Sequence, residues 1–282
     1  MVRQLAVLAV AVALASSAPA QPPGGAPAPR FKWEAGKVLT YRVVQHTVVQ
    51  ETTLDDKTNM PVASAIKKDS IALVRKWTVK DVDKLGVATL EMSIAEMKQE
   101  CREGEQVVRA LDSTKAEDAK DLTFLNKPIV TVRIDPQGKL VEMKDVAGKA
   151  AARLQAELPF RLVLPDTAPS AGKTWDRPFT VKLDPPHGTG ESYDFTQKYT
   201  SKGEKDGLLT VRVETALKAP PKLVNEQVPL APMLWTGDVY FNVAAGKYHA
   251  ARLNAKAELA NHQGEGTKFV YESVYSEDAI EK

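Results

Sequence analysis

Hydrophobic residues recur at every second position over most of this chain. Leu39, Tyr41 and Val43 share one face of a strand, and Val49 continues it beyond the polar Gln45 and Thr47. Ile71, Leu73, Trp77 and Val79 repeat the pattern. Ala88, Leu90, Met92 and Ile94 then alternate with Thr89, Glu91 and Ser93, and Asp81 to Leu85 followed by Gly86 makes the turn between these runs. Such alternation predicts antiparallel strands with one wet and one dry face. A second hairpin runs from Ile129 to Met143 and turns at Asp135-Pro136-Gln137-Gly138. There the Asp caps, the Pro sets φ and the Gly takes the left-handed position. A third, Val239 to Leu259, turns at Ala244-Ala245-Gly246, and a last strand carries Phe269, Tyr271 and Tyr275.

Only one segment has a strong helical period. Val146, Ala150, Leu154 and Leu158 fall on one stripe, with Asp145 as a cap and Pro159 as the stop, which predicts one helix near 145–158. Ser113 to Leu122 mixes alanine with charge but has no apolar stripe, so a weak helix and a solvated loop both fit it. The fold class is therefore mainly β (α+β), built from antiparallel sheets.

Three landmarks occur twice in the same order. Ala35-Gly36-Lys37 returns as Ala171-Gly172-Lys173, the Lys84 to Leu90 stretch as Lys205 to Val211, and Gly138-Lys139-Leu140 as Gly246-Lys247-Tyr248. Two pseudo-repeats over 31–144 and 170–275, joined by the helix, are one reading of this. They can pack as a sandwich or continue into one curved half-barrel. Chance reuse of Gly turns by a β-protein is the competing account.

The start of the chain has a different character. Arg3 precedes an apolar run from Leu5 to Ala15, and Ala18-Pro19-Ala20 fits small-x-small cleavage. This predicts a signal peptide over 1–20, cut after Ala20, and an exported protein, periplasmic or extracellular. The apolar run is shorter than the ~20 residues a spanning helix needs, and no later run reaches that length. Residues 21–30 form a Pro/Gly linker, and 31–282 the β-rich domain.

Composition narrows the function classes. The 38 basic and 36 acidic residues give a formal charge of +2, which argues against a strongly basic nucleic-acid binder. A single cysteine, Cys101, excludes an intrachain disulfide and a Cys-built zinc site, and its polar neighbours suggest an inert thiol on a strand edge. The four histidines, His46, His187, His249 and His262, lack metal-ligand spacing. Ala171-Gly172-Lys173-Thr174 resembles the end of a phosphate loop, but Thr167 stands where the first glycine is required. Ser64 to Lys67 and Ser170 to Lys173 match Ser-x-x-Lys without the companion Lys-Thr-Gly, and no Gly-x-Ser-x-Gly occurs. No catalytic residue, metal site or cofactor is assigned. Trp33, Trp77, Trp175 and Trp235 can line a lipid or sugar groove, or fill the margin of the core.

The opening Phe31-Lys32-Trp33-Glu34-Ala35-Gly36-Lys37-Val38-Leu39-Thr40-Tyr41, the Asp135 to Gly138 turn and the passage from Leu158-Pro159 to Gly172-Lys173-Thr174-Trp175 carry a resemblance. They are similar to a family of exported β-rich bacterial proteins, common in planctomycetes, whose domain has no known function. The resemblance brings no catalytic residues. A long curved antiparallel sheet is also similar in outline to periplasmic lipoprotein-carrier half-barrels, which is fold analogy only. Three readings follow: a non-enzymatic module that binds a hydrophobic ligand or an envelope partner, an envelope hydrolase using carboxylates, and a structural protein without a small ligand. The expected partners are lipid or an envelope protein, not nucleic acid.

Overall fold

A computed structural model describes residues 27–281, apart from 56, 146–155, 184, 186–187 and 189. The expected signal peptide and most of the expected linker lie outside the described residues. Among the described residues, twelve strands form a single antiparallel sheet. In chain order they are β1 (Val38–Leu54), β2 (Pro61–Val82), β3 (Ala88–Glu103), β4 (Gln106–Asp112), β5 (Val130–Ile134), β6 (Leu140–Asp145), β7 (Thr174–Leu183), β8 (Glu191–Lys205), β9 (Leu208–Leu217), β10 (Trp235–Asn242), β11 (Lys247–Ala260) and β12 (Thr267–Ala279). The spatial order is β6-β5-β3-β2-β1-β12-β11-β10-β9-β8-β7, with β4 paired to β3. The sheet is open, because β6 and β7 do not pair.

Of the two packings the pattern allows, the continuous sheet forms. Its join is β1 against β12, in register from Tyr41 opposite Ala279 to Thr53 opposite Thr267. Two hydrophobic faces that meet edge to edge share one backbone ladder, so neither half presents an unpaired inner edge. One core cluster takes the same face of the sheet from β5 through β2 and β12 to β8: Val132, Leu90, Trp77, Tyr41, Tyr275, Leu253, Val239, Val211 and Tyr199. Strands that far apart can share a core only if the sheet curls around it. The opposite face is wet, carrying Arg42, His46, Lys256 and Glu272.

Residues 29–33 tie one end of this curl together. Phe31 N–H donates to Pro136 O in the β5–β6 turn at 2.8 Å, and Lys32 N–H donates to Gly246 O in the β10–β11 turn at 2.9 Å. Gly138, at φ +88°, lets the β5–β6 turn close against Phe31 and Leu162; an added Cβ would lie 2.6 Å from Leu162 O.

The landmark triplets adopt matching geometry. Gly36 has φ +82° and donates to Val79 O at 2.8 Å, while Gly172 has φ +83° and donates to Ser201 O at 2.7 Å. The run β1-β2-β3-β5-β6 and the run β7-β8-β9-β10-β11 also pair in the same order.

Two expectations need correction or restriction. Asp145 closes β6, and the helical stripe lies at 146–155, outside the described residues; only Ala156 and Glu157 are described as helical. Leu158 then turns left-handed at φ +57°. The stretch Ser113 to Leu122 is a single 3-10 turn, Ala116–Asp118, within loops. Strand β4 was not foreseen: its Val107, Val108 and Arg109 are all exposed, so no alternation betrays it.

Candidate functional site

The concave face of the sheet is occupied by residues 158–164, part of the connection between β6 and β7. Leu158, Phe160, Leu162, Val163 and Leu164 are all buried, in a stretch that is neither helix nor strand. The sequence offers a local reason. Phe160 to Leu164, apolar but for Arg161, is bounded by Pro159 and Pro165, so it cannot join a ladder or continue a helix. It can gain stability only by burying side chains, at ~1.5–3 kcal/mol for each large one. Leu158 and Arg161 sit at φ +57° and +53°, a left-handed conformation that costs a non-glycine residue ~1–3 kcal/mol. Burial on both sides of the bend offsets that strain.

All four tryptophans singled out from the sequence converge on this plug. Trp77 is fully buried and Trp33 half-buried; their rings lie 5.7 and 5.6 Å from that of Phe160. Phe31, Tyr41 and Tyr248 complete the ring of neighbours at 5.5, 6.1 and 5.8 Å. Trp175, half-buried and stacked on Tyr199, donates its Nε1–H to Val163 O at 2.7 Å. Trp235, 2% exposed, donates its Nε1–H to Glu157 Oε1 at 3.3 Å. Two indoles therefore hold polar atoms of the plug. The other two, Trp33 and Trp77, have Nε1 buried without an acceptor among the described residues.

Beside the aromatic cluster lie two buried ion pairs. Glu277, 1% exposed on β12, meets Arg75 of β2 at 3.3 Å across β1. Its other oxygen accepts from Tyr248 Oη at 2.9 Å and Tyr275 Oη at 2.8 Å. Burial, and then the Glu277 charge, push the Tyr275 hydroxyl up to about 12, against the pull of Arg161 and Arg75. Both the Tyr41 and Tyr248 hydroxyls are driven up for the same two reasons, burial first. All three phenols are thus hydroxyl groups at neutral pH, able to donate. The second pair belongs to the plug: Arg161 Nη2 donates to Glu157 Oε2 at 2.8 Å, four residues away. The Arg161 guanidinium also lies 4.1 Å from the Tyr275 ring centre and 5.4 Å from that of Trp235. Gln137 Nε2 and Arg177 Nη1 hold the plug's ends through Leu164 O and Ala156 O, at 3.2 Å each. Arg30 of the linker donates to Pro165 O at 2.7 Å.

The remaining sequence candidates are dispersed. Cys101 faces Asp69, whose Oδ1 accepts from its Sγ at 3.2 Å; burial, then that bond and charge, raise the thiol above its ordinary value. This disfavours a reactive thiolate. His46 is on the wet face, 3.0 Å from Ser70 Oγ. His262 is buried near Phe269, with neither ring nitrogen partnered among the described residues. His187 lies outside the described residues. Ser64 to Lys67 belong to β2, and Ser170 to Lys173 precede β7 in a turn, so neither Ser-x-x-Lys stands on a helix. A surface cleft of about 410 Å³ lies by His46, Lys98 and Asp112, and another of about 400 Å³ by Tyr193 and Glu226. Neither is lined by tryptophan.

Sequence reasoning missed the plug and both ion pairs. The signal available was an aperiodic apolar run between two prolines, interrupted by a lone arginine. The pairing of Arg75 with Glu277 joins residues 202 positions apart and leaves no local trace.

Among the described residues no helix is long and apolar enough to cross a membrane. No family model and no curated protein matches the chain. Among solved structures it is similar to lipovitellin, in a structure described by its lipid–protein interactions: 13% identity, TM-score 0.51, with 88% of this chain covered. The match spans 25% of the lipovitellin chain. DynF from the dynemicin biosynthesis pathway of Micromonospora chersina aligns over 95% of this chain and 94% of its own. Its identity of 8% and TM-score of 0.22 carry no argument. The likeness to lipovitellin concerns the fold alone.

Proposed function

We propose that the protein is an exported, non-enzymatic module that binds a hydrophobic ligand of the lipid class on the inner face of its sheet. The observation that carries this reading is the covering of that face. An aromatic, apolar wall is closed on its open side by a strained connector and the short 3-10 helix Val224–Met233, where a stable sandwich would place a second sheet. Fold likeness to a part of lipovitellin, in a structure described by its lipid–protein interactions, supports the same ligand class. A carboxylate hydrolase finds less support, since Glu157 and Glu277 are each engaged by an arginine. Export rests on the first 20 residues, and the resemblance to exported planctomycete proteins belongs with it. We also infer that the two five-strand runs descend from an internal repeat, on the strength of their shared pairing order and matched glycine turns.

The test uses the mature chain, secreted and purified without detergent. Organic extraction followed by mass spectrometry is expected to release lipid. Titration with a fluorescent fatty acid is expected to saturate and to quench tryptophan emission. An empty extract together with no saturable binding would refute the reading, and an N-terminus other than Gln21 would refute the cleavage site.

A further inference from the structure

We propose that Phe160 is a built-in occupant of a ligand site. The cage of Phe31, Trp33, Tyr41, Trp77 and Tyr248 takes an acyl chain carrying a carbonyl or carboxyl oxygen, and segment 156–165 withdraws as that chain enters. This rests on the lipid-binding reading above and names the site and the ligand chemistry for it.

Four observations converge on the exchange. The first is the unmet hydrogen bonding of the cage. Trp33 and Trp77 carry buried Nε1–H groups that Phe160 cannot satisfy. A buried donor without an acceptor is costly, and a position kept only for packing is served as well by phenylalanine. An oxygen on the incoming chain supplies what the present occupant lacks. The second is the grip of the other two indoles. Trp175 and Trp235 hold Val163 O and Glu157 Oε1, which are oxygens of the plug. Withdrawal of the segment would free these two donors as well, at the sites Val163 O and Glu157 Oε1 now occupy.

The third is backbone strain. Leu158 and Arg161 bracket Phe160 in left-handed conformations, and both can relax when the segment leaves. The fourth is charge balance. Glu157 and Arg161 pair within the plug, whereas Arg75 and Glu277 pair within the wall. The plug can therefore depart as a neutral unit. Neither state strands a lone charge in an apolar interior, which is the usual obstacle to opening a buried ionic cluster.

The experiment compares the mature wild-type chain with Phe160→Ala and Trp77→Phe. Two probes are used: methyl cis-parinarate, an acyl chain with an ester oxygen, and diphenylhexatriene, a hydrocarbon of similar reach without one. Phe160→Ala removes the competitor, so its affinity for both probes is expected to rise by about fivefold or more, since an occupied site weakens apparent binding by the vacant fraction. Trp77→Phe is expected to weaken methyl parinarate by roughly 3- to 10-fold, the worth of one hydrogen bond, and to leave diphenylhexatriene unchanged. A purely structural Trp77 would shift both probes together. Phe160→Leu serves in place of the alanine variant should that chain fail to fold. Saturable binding of the ester with equal affinity in wild type and every variant overturns the cage proposal and leaves the lipid-binding reading standing, with the ligand elsewhere on the sheet. Binding of neither probe by any folded chain overturns both.

Discussion

Replacing Glu277 by glutamine tests whether the wall's ion pair is as dry as its geometry states. The amide keeps the shape and one oxygen that can accept from Tyr248 or Tyr275, so the packing and part of the hydrogen bonding survive. What disappears is the charge opposite Arg75, 3.3 Å away. Breaking a buried pair by removing one partner costs ~3–5 kcal/mol, because the other charge stays behind unpaired. The Arg75 side chain is 18% exposed while that of Glu277 is 1% exposed, so the stranded guanidinium keeps some water and the lower end applies, about 3 kcal/mol. At ~2–4 °C per kcal/mol for a domain of this size, the melting midpoint should fall by roughly 6–12 °C. Urea unfolding followed by tryptophan emission measures the free energy directly. Arg75→Met alone should cost at least as much, because the stranded Glu277 is only 1% exposed. The double variant Arg75→Met/Glu277→Gln should be more stable than either single variant, as neither charge remains. A loss below about 1 kcal/mol for Glu277→Gln, or strict additivity in the cycle, would refute the buried pair.

Three further substitutions probe the turns and the rim. Gly138→Ala must hold φ +88° and push a Cβ to 2.6 Å from Leu162 O, whereas Gly207→Ala, at φ +77°, meets nothing within 4 Å. Both should lose more than about 1 kcal/mol to backbone strain. Gly138→Ala should lose clearly more, and equal urea midpoints would show that the turn does not press on the plug. Asp112 is held down to about 2, first by the Thr114 backbone N–H, then by the Thr114 hydroxyl and Lys98. A depressed carboxylate stabilises the fold above its unfolded value of 3.8 and loses that contribution as pH falls towards about 2. Urea midpoints of Asp112→Asn should therefore fall less steeply than wild type over that window; parallel profiles would show that Asp112 is not so held.

What the residue order determined alone was the alternating strands, their wet and dry faces, and the turns. These depend on period-two alternation and on backbone conformations open to glycine, which are properties of neighbours in sequence. The Asp135 to Gly138 hairpin was legible for that reason. Tertiary structure decided the rest. Whether two halves stack or join depends on which edges meet, and the β1–β12 ladder unites the first strand with the last. The exposed β4 exists because β3 offers it an edge, not because its own pattern demands a strand. Segment 156–165 is buried because the curled sheet leaves a concavity, which the segment shares with Ala231 of the 3-10 helix Val224–Met233. The pairing of Arg75 with Glu277 is a consequence of that curl: charge attraction acts through space, and the chain brings the two together only once the intervening strand has found its place.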